Sequence, residues 1–304
     1  MLVAALRSEV KLESGRVSAE VEERLRSLGY VAGPSRLPAS GSAKDPKDAV
    51  SLFQGFERAM EAEGKGDVAS AVAQLRRLVT DDPSNLTFQR SLAASLRRSG
   101  SGDEAVRVLK LACAMAPRDP ALARDLSSAL AERGKAQEAM AEALRATALD
   151  PLDPDGHDHL ATLYAARHDL AKARAAADRA TEIDSNNARA WTNRGNILRA
   201  EGEAAEAGRS YERALAVDPA FADAVNGLGV IAVEQARLTE AAALFERART
   251  LDPRLDEAVL NLAVVELQRG NPDRALKLAS EVARAAVDPQ VRARALALVG
   301  DMRR

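Results

Sequence analysis

The sequence predicts an all-α fold in which pairs of antiparallel helices repeat along the chain. The first observation is a period, because frames of 34 residues follow one another without insertion from Leu52 to Arg284. The seven frames begin at Leu52, Leu86, Pro120, Pro154, Ala188, Ala222 and Asp256. The second observation is that place 20 of every frame is alanine and place 8 is always Ala, Ser or Gly. The third is that place 15 is glycine, and place 32 proline, in five of the seven frames.

Each of these places has a structural role. Small residues at places 8 and 20 let two helices approach closely, since a larger side chain would overpack the contact at a cost of roughly 1–3 kcal/mol. Glycine at place 15 can adopt the left-handed conformation that ends a first helix, and Asp67 then stands where the second helix needs an N-cap. Proline at place 32 ends the second helix. Further pairs of a cap and a first helical proline are Asp119-Pro120, Asp153-Pro154 and, after Gly270, Asn271-Pro272.

The pattern resembles that of the tetratricopeptide repeat family. The fifth frame carries the resemblance best, with Trp191 at place 4, Gly195 at 8, Ala207 at 20, Tyr211 at 24, Ala214 at 27 and Pro219 at 32. The resemblance implies a right-handed α-solenoid of seven tandem helix-turn-helix repeats, whose first helices line a concave groove. We expect these repeats to occupy residues 46–289. The apolar stripe that follows predicts a capping helix over residues 290–304, of the kind that closes such arrays.

The N-terminal residues carry a different signal. Residues 1–30 are predicted to form a segment with one short helix, from Ser18 to Leu28, and residues 31–45 have the Pro, Gly and Ser content of a linker. The stretch from Glu22 to Val31, followed by this linker, resembles the junction of bacterial sulfatase-type hydrolases fused to C-terminal tetratricopeptide repeats. This resemblance implies a chain that is the repeat half of such a fusion. A chance amphipathic helix before a linker is the alternative.

Composition argues against several classes of protein. The formal net charge is −2, so the chain lacks the general basic excess that phosphate binding requires, and nucleic acid is not an expected partner. Aromatic residues make up only 3% of the chain, which suits thin helix contacts lined by alanine, leucine and valine. One cysteine excludes an intrachain disulfide framework. No apolar run approaches the length of a membrane span. We therefore expect a cytoplasmic protein, or a periplasmic or envelope protein if the sulfatase resemblance holds.

The sequence predicts no catalytic or metal-binding motif. Cys113 precedes Pro117 and Arg118 with the wrong spacing for the Cys/Ser-x-Pro-x-Arg motif of sulfatases, so a structural thiol is expected. His157 and His159 are two residues apart, and such side chains point to different sides of a helix. By register, His157 takes the place of Trp191 in the next frame. We expect no enzyme activity, no metal and no cofactor.

The concave face is the expected binding surface. In this family it is built from places 2, 5, 6, 9, 12 and 13 of the first helices, and arginine and asparagine side chains there can bind carboxylates and peptide backbones. The candidate partner-binding residues are Arg90, Arg97, Arg124, Arg189, Asn193, Asn196, Arg199, Asn226 and Asn261. The carboxylate clamp of chaperone-type members needs Lys or Arg at place 5 with Asn at place 9, and no frame has both. In the seventh frame the same wall is apolar, with Leu260, Val264 and Leu267.

The function predicted is therefore a non-catalytic scaffold for protein–protein interaction that binds a protein or an extended peptide. The competing prediction is a region that regulates a sulfatase-type hydrolase or presents substrate to it.

Overall fold

The computed structural model describes residues 46–302, and this range contains fifteen α-helices and no strand. The helices are α1 (Pro46–Gly64), α2 (Val68–Asp81), α3 (Leu86–Arg98), α4 (Gly102–Met115), α5 (Pro120–Glu132), α6 (Ala136–Leu149), α7 (Pro154–Ala166), α8 (Leu170–Ile183), α9 (Ala188–Ala200), α10 (Ala204–Val217), α11 (Ala222–Glu234), α12 (Leu238–Leu251), α13 (Asp256–Gln268), α14 (Pro272–Ala285) and α15 (Pro289–Met302). The predicted all-α class is confirmed. The segment and linker predicted for residues 1–45 lie outside the described residues.

The helices form two compact units, one up to Lys135 and one from Ala136 onward. Within each unit, odd-numbered helices are the first helices of the repeats and even-numbered helices are the second helices. From the second frame to the seventh, each first helix begins at place 1, as at Leu86 and Ala188. Each helix packs against the next one along its unit. The period read from the sequence is therefore the period of the helix pairs.

The turn within each repeat is made by a residue in the left-handed conformation. Gly66, Gly100, Gly134, Gly202 and Gly270 have φ angles between 71° and 86°. His168 and Ala236, which occupy the same place in the two remaining frames, have φ angles of 59° and 57°. A left-handed residue at place 15 is thus required even where the sequence does not supply glycine.

The predicted helix caps are present at four sites, and three of them use the side chain as expected. Asp67 accepts a hydrogen bond from Ser70 N at 3.0 Å, Asp119 from Ala121 N at 2.8 Å and Asp153 from Asp155 N at 3.1 Å. Asn271 occupies the N-cap position of α14 but makes no side-chain cap bond. Its amide donates to the buried carboxylate of Glu266 instead, at 2.6 Å.

A recurring hydrogen bond from a side chain to the backbone, here called the place-4 clasp, joins each of four odd-numbered helices to the loop before it. The residue at place 4 of three repeats donates a hydrogen bond to the carbonyl oxygen six residues earlier, and Arg292 of α15, at place 3 of the next frame, does the same. The pairs are Gln89 with Pro83, His157 with Pro151 (3.1 Å), Trp191 with Ser185 (2.9 Å) and Arg292 with Ala286 (2.9 Å from Nε). Through Arg292, α15 makes the contact that is typical of a first helix, but one residue earlier than the 34-residue period predicts.

Aromatic rings at place 24 fill the core between successive helix pairs. Tyr211 on α10 and Phe245 on α12 are 0% and 1% exposed. A Cβ atom built on Gly195 would lie 2.5 Å from Tyr211 Cε1, and one built on Gly229 would lie 2.5 Å from Phe245 Cε1. Glycine at place 8 therefore makes room for the ring at place 24 of the same repeat.

The last helix, α15, packs against both α14 and α13. It buries Val291, Ala295 and Val299, and Arg294 on its outer side forms an ion pair with Glu257 of α13 at 2.8 Å. Among the helices of residues 46–302, none is both long enough and apolar enough to span a bilayer.

Candidate functional site

The first helices of successive repeats lie side by side within each unit. In the first unit α3 contacts α5, and in the second α7, α9, α11 and α13 contact one another in turn. Successive second helices make no comparable contact in the described residues. First helices therefore lie on the inner side of each curved stack, where the candidate binding residues were predicted.

In the first unit, the two candidate arginines of α3 are held by acidic residues of α5. Arg90 Nε donates to Asp125 Oδ2 at 2.7 Å. Arg97 forks onto Glu132, with Nε to Oε2 at 2.9 Å and a second bond from Nη2 to Oε1. Arg124 lies half-buried on α5, next to Asp125 in sequence. Thr87, Arg90, Ser91, Arg97 and Asp125 are among the residues that line an open cleft of about 330 Å³ on this face.

In the second unit, two candidate residues of α9 converge on α7. Asn193 Nδ2 donates to both carboxylate oxygens of Asp158, at 2.8 and 3.0 Å. Arg189 Nε lies 3.3 Å from Asp158 Oδ2, and Arg189 also pairs with Asp155. Asp158 is only 4% exposed. Burial raises the pKa of the Asp158 carboxyl, against the lowering effects of Asn193 and Arg189.

Further along this unit, the same lateral pairing recurs. Arg199 Nη1 of α9 lies 3.1 Å from Glu234 Oε1 of α11. Asn261 Nδ2 of α13 donates to Asn226 Oδ1 of α11 at 3.1 Å. Arg199 Nε is buried and has no hydrogen-bond partner in the described residues. Two predicted residues, Asn226 and Asn261, thus contact each other directly.

Asn196 differs from the other candidates because it is fixed from within its own repeat. Its Oδ1 accepts a hydrogen bond from the hydroxyl of Tyr211 at 2.7 Å, although Asn196 itself is exposed. Burial raises the pKa of the Tyr211 hydroxyl, which therefore stays a donor near neutral pH.

The lateral pairs share one spacing that sequence reasoning missed. Five of them join residues 35 positions apart, which is one 34-residue repeat plus one residue. They are Arg90–Asp125, Arg97–Glu132, Asp158–Asn193, Arg199–Glu234 and Asn226–Asn261. Each connects place 5 with place 6, or place 12 with place 13, of the following repeat. We call these five pairs the lateral ladder. Three of them join an arginine to an acidic residue, so a search of the sequence for opposite charges 35 residues apart would have found them.

The apolar wall predicted in the seventh frame is partly covered. Leu260 is 2% exposed, whereas Val264 and Leu267 are each 36% exposed. Because α15 contacts α13, it covers part of this helix at the end of the stack.

The single cysteine, two of the histidines and two glycines of α11 all have structural roles. Cys113 is a buried thiol on α4. His157 makes the place-4 clasp described above, and His168 is a left-handed turn residue. Gly229 accommodates Phe245, and Gly227 packs against Tyr211 rather than against its own repeat. Within residues 46–302, no group of three or more His, Cys, Asp or Glu side chains could hold a metal ion.

Comparison with known proteins agrees with this architecture. Three family models described as "Tetratricopeptide repeat" match the chain, one at residues 56–120, 95–154 and 206–256, one at 188–221 and one at 232–298. A tetratricopeptide repeat protein from Parabacteroides merdae is similar in structure with a TM-score of 0.68 at 17% identity, covering 83% of this chain and 99% of that one. The APC/C hetero-tetramer Cut9–Hcn1 gives a TM-score of 0.64 at 14% identity, covering 93% of this chain and 59% of the other.

At these identities the two structures show the fold alone. No curated protein matched the sequence. The family matches and the solved structures together confirm the predicted all-α repeat solenoid.

Proposed function

This chain belongs to the tetratricopeptide repeat family, and from that premise we propose that it is a non-catalytic scaffold that binds an extended segment of a partner protein along its first helices. The family's fold supports protein interaction in general. The inner-face residues support the narrower statement that the ligand is an extended peptide.

The observation that carries this proposal is that four asparagine side chains use only one of their two hydrogen-bonding groups, either the NH₂ or the oxygen. Asn193 and Asn261 use their Nδ2 groups within the lateral ladder, whereas Asn226 and Asn196 use their Oδ1 atoms. The described residues provide no partner for the other half of each amide. Two acceptors and two donors are therefore left on side chains whose positions are already fixed.

An extended peptide presents N–H and C=O groups in alternation, so it needs both donors and acceptors from its binding surface. Fixing the side chains before binding lowers the entropy that binding costs. The ladder arginines contribute differently, because each already holds a carboxylate of the neighbouring repeat. An acidic residue of the ligand would have to share the arginine with that carboxylate or displace the carboxylate.

The test compares capture of a partner by three forms of the protein. The variant Asn193→Ala/Asn226→Ala should lose a partner that the wild type retains. Asn186→Ala should retain it, since Asn186 is an exposed loop residue outside the inner face. Thermal unfolding followed by circular dichroism checks that all three are folded. Equal capture by the double variant and the wild type would contradict inner-face binding.

A second candidate function rests on the stretch from Glu22 to Val31 alone. The chain would then be the repeat region of a sulfatase-type hydrolase, and it would regulate that enzyme or present substrate to it in the periplasm or envelope. An upstream coding sequence in the same reading frame with a Cys/Ser-x-Pro-x-Arg motif would support this. Its absence would favour the free scaffold.

A further inference from the structure

A second polar cleft lies in the unit from Ala136 onward, away from the inner-face residues discussed above. It opens between the second helices α8 and α10 and has a volume of about 600 Å³. Trp191 and Arg194 of α9 line it, together with Glu182 of α8 and with Arg209 and Arg213 of α10. We call it the outer cleft. It is separate from the lateral ladder, which uses other residues of α9.

The position of Arg194 in the outer cleft is fixed by its neighbours. Its Nε donates to Asp178 Oδ1 at 2.6 Å, and its Nη1 donates to Ser210 Oγ at 2.8 Å. Ser210 is 1% exposed, and the Arg194 guanidinium lies 5.8 Å from the centroid of the Trp191 ring. Its Nη2 group has no partner among the described residues, so both N–H donors of that group are left for a ligand.

The acidic residues of the outer cleft are already engaged. Besides Asp178, Glu206 accepts from Arg174 at 3.0 Å, and Glu182 pairs with Arg179 at 3.3 Å. The basic residues of α10 at the edge of the cleft have weaker ion pairs or none.

Arg213 is exposed and has no ion-pair partner in the described residues, and Arg209 reaches Glu206 only at 3.7 Å. These two arginines are four residues apart on α10, so they lie on the same side of that helix. The cleft is lined by three acidic and three basic side chains, but the acidic ones also pair with Arg174 and Arg179 from outside it, so the polar groups left over are arginine donors.

We propose that the outer cleft docks an acidic segment of a partner protein, with a carboxylate bound by Arg213, Arg209 and the Nη2 group of Arg194. The planar guanidinium group matches a carboxylate in shape and in the spacing of its donors. Trp191 provides an apolar surface for the aliphatic part of the same side chain or of its neighbour. A carboxylate suits the cleft better than a phosphate, because Glu182, Asp178 and Glu206 would repel a dianion more strongly than a monoanion.

Trp191 is the only tryptophan of the chain, so its fluorescence reports directly on the outer cleft. The full chain is titrated with a short, end-blocked synthetic peptide of alternating glutamate and leucine. We expect a saturable change in Trp191 emission. The matched peptide with glutamine in place of glutamate should produce none. Absence of a saturable response to the glutamate peptide, or an equal response to both peptides, would overturn the proposal.

Variants then assign the response to named side chains. Arg209→Ala/Arg213→Ala should weaken binding roughly tenfold or more, because two charge-assisted contacts are lost. Arg254→Ala also removes an exposed arginine of this unit, outside the cleft, and should bind as the wild type does. Equal affinity of the double variant and the wild type would refute the assignment, as would tighter binding of the matched phosphoserine peptide.

The inner-face variant Asn193→Ala/Asn226→Ala separates this proposal from the proposed function. Its fluorescence response to the glutamate peptide should equal that of the wild type. If the response is lost in this variant and kept in Arg209→Ala/Arg213→Ala, the peptide binds the inner face and the outer-cleft proposal is wrong.

Discussion

Gly195 of α9 faces the ring of Tyr211 on α10 so closely that a Cβ atom at residue 195 would lie 2.5 Å from Cε1 and 2.8 Å from Cδ1. Gly227 of the following repeat approaches the same ring, with its own built Cβ 2.5 Å from Cζ. The ring therefore has little room to retreat from either side. Its hydroxyl holds Asn196, so this contact also links the core to the inner face.

We predict that Gly195→Ala destabilises the protein by about 1–3 kcal/mol, because the added methyl group overpacks the contact with Tyr211. Gly208→Ala is the matched control within the same repeat. The nearest atom to a Cβ at residue 208 is Ile231 Cδ1 at 3.8 Å, so this change should stabilise by about 0.5–1 kcal/mol through helix propensity. Urea unfolding of both variants is the measurement, and a loss of stability no larger than 0.5 kcal/mol for Gly195→Ala would contradict the packing argument.

The repeat period allowed the helix pairs and turns to be predicted from sequence, but not every detail of the contacts. Small residues at places 8 and 20 indicated a close helix–helix approach without showing which ring fills the space. Gly227 and Gly229 lie two residues apart on α11, and only Gly229 occupies place 8. The structure separates them, because Gly227 contacts the tyrosine of the preceding repeat. Such contacts between repeats depend on how the helix pairs stack, which the sequence of one frame does not specify.

Ala236 occupies a turn place with a φ angle of 57°, where a Cβ atom is unfavourable. We predict that Ala236→Gly stabilises the protein by about 1 kcal/mol, since glycine adopts this conformation without the steric penalty. Ala243→Gly is the control, because Ala243 is exposed within α12 of the same repeat. It should destabilise by a similar amount. Denaturant midpoints that move in the same direction for both variants would count against the explanation.

For the candidate site, the sequence predicted residues that lie on the first helices, but not the partners they hold. It treated Arg97 and Arg199 as available for a ligand, whereas Glu132 and Glu234 already pair with them. The missing information was the one-residue offset between neighbouring first helices, which pairs place 12 with place 13. That offset follows from the three-dimensional stacking of the repeats and is visible in sequence only once the 35-residue spacing is known.

Glu266 at the end of α13 is 0% exposed and ties this helix to α14. Its Oε1 lies 2.8 Å from Arg269 Nη1 and 3.2 Å from Arg274 Nη1, while Oε2 accepts from Asn271. We predict that Glu266→Gln costs about 1–3 kcal/mol, because an amide NH₂ must then face other donors in a buried site.

The control for this prediction is Glu240→Gln. Glu240 pairs with Arg237, and both side chains are about half exposed. The change should alter stability by no more than about 0.5 kcal/mol. Thermal and urea unfolding of the two variants provide the comparison, and similar small effects for both would show that the buried network contributes little.

The last prediction concerns pH and uses Asp158, whose pKa is raised in the folded state by burial. A carboxyl group with a raised folded-state pKa stabilises the fold most at a pH below its unfolded-state pKa, and this contribution is lost as pH rises through the folded-state value. Asparagine at residue 158 would not lose stability in this way. Its oxygen could still accept from Asn193, as Asn226 accepts from Asn261 two repeats later.

The free energy of unfolding of Asp158→Asn relative to wild type should therefore increase between about pH 4 and about pH 7, because the other carboxyl groups are common to both proteins and cancel. Asp169→Asn provides a control of opposite sign. The hydrogen bond with Lys172 lowers the pKa of Asp169, so its stabilisation is present above the unfolded-state pKa of about 4 and is lost as pH falls further, through the folded-state pKa. The relative stability of Asp169→Asn should accordingly fall as pH rises. Urea unfolding at about pH 3, about pH 4 and about pH 7 measures the two trends, the lowest interval for Asp169 and the upper one for Asp158. Trends of the same sign would show that burial does not control the titration of Asp158.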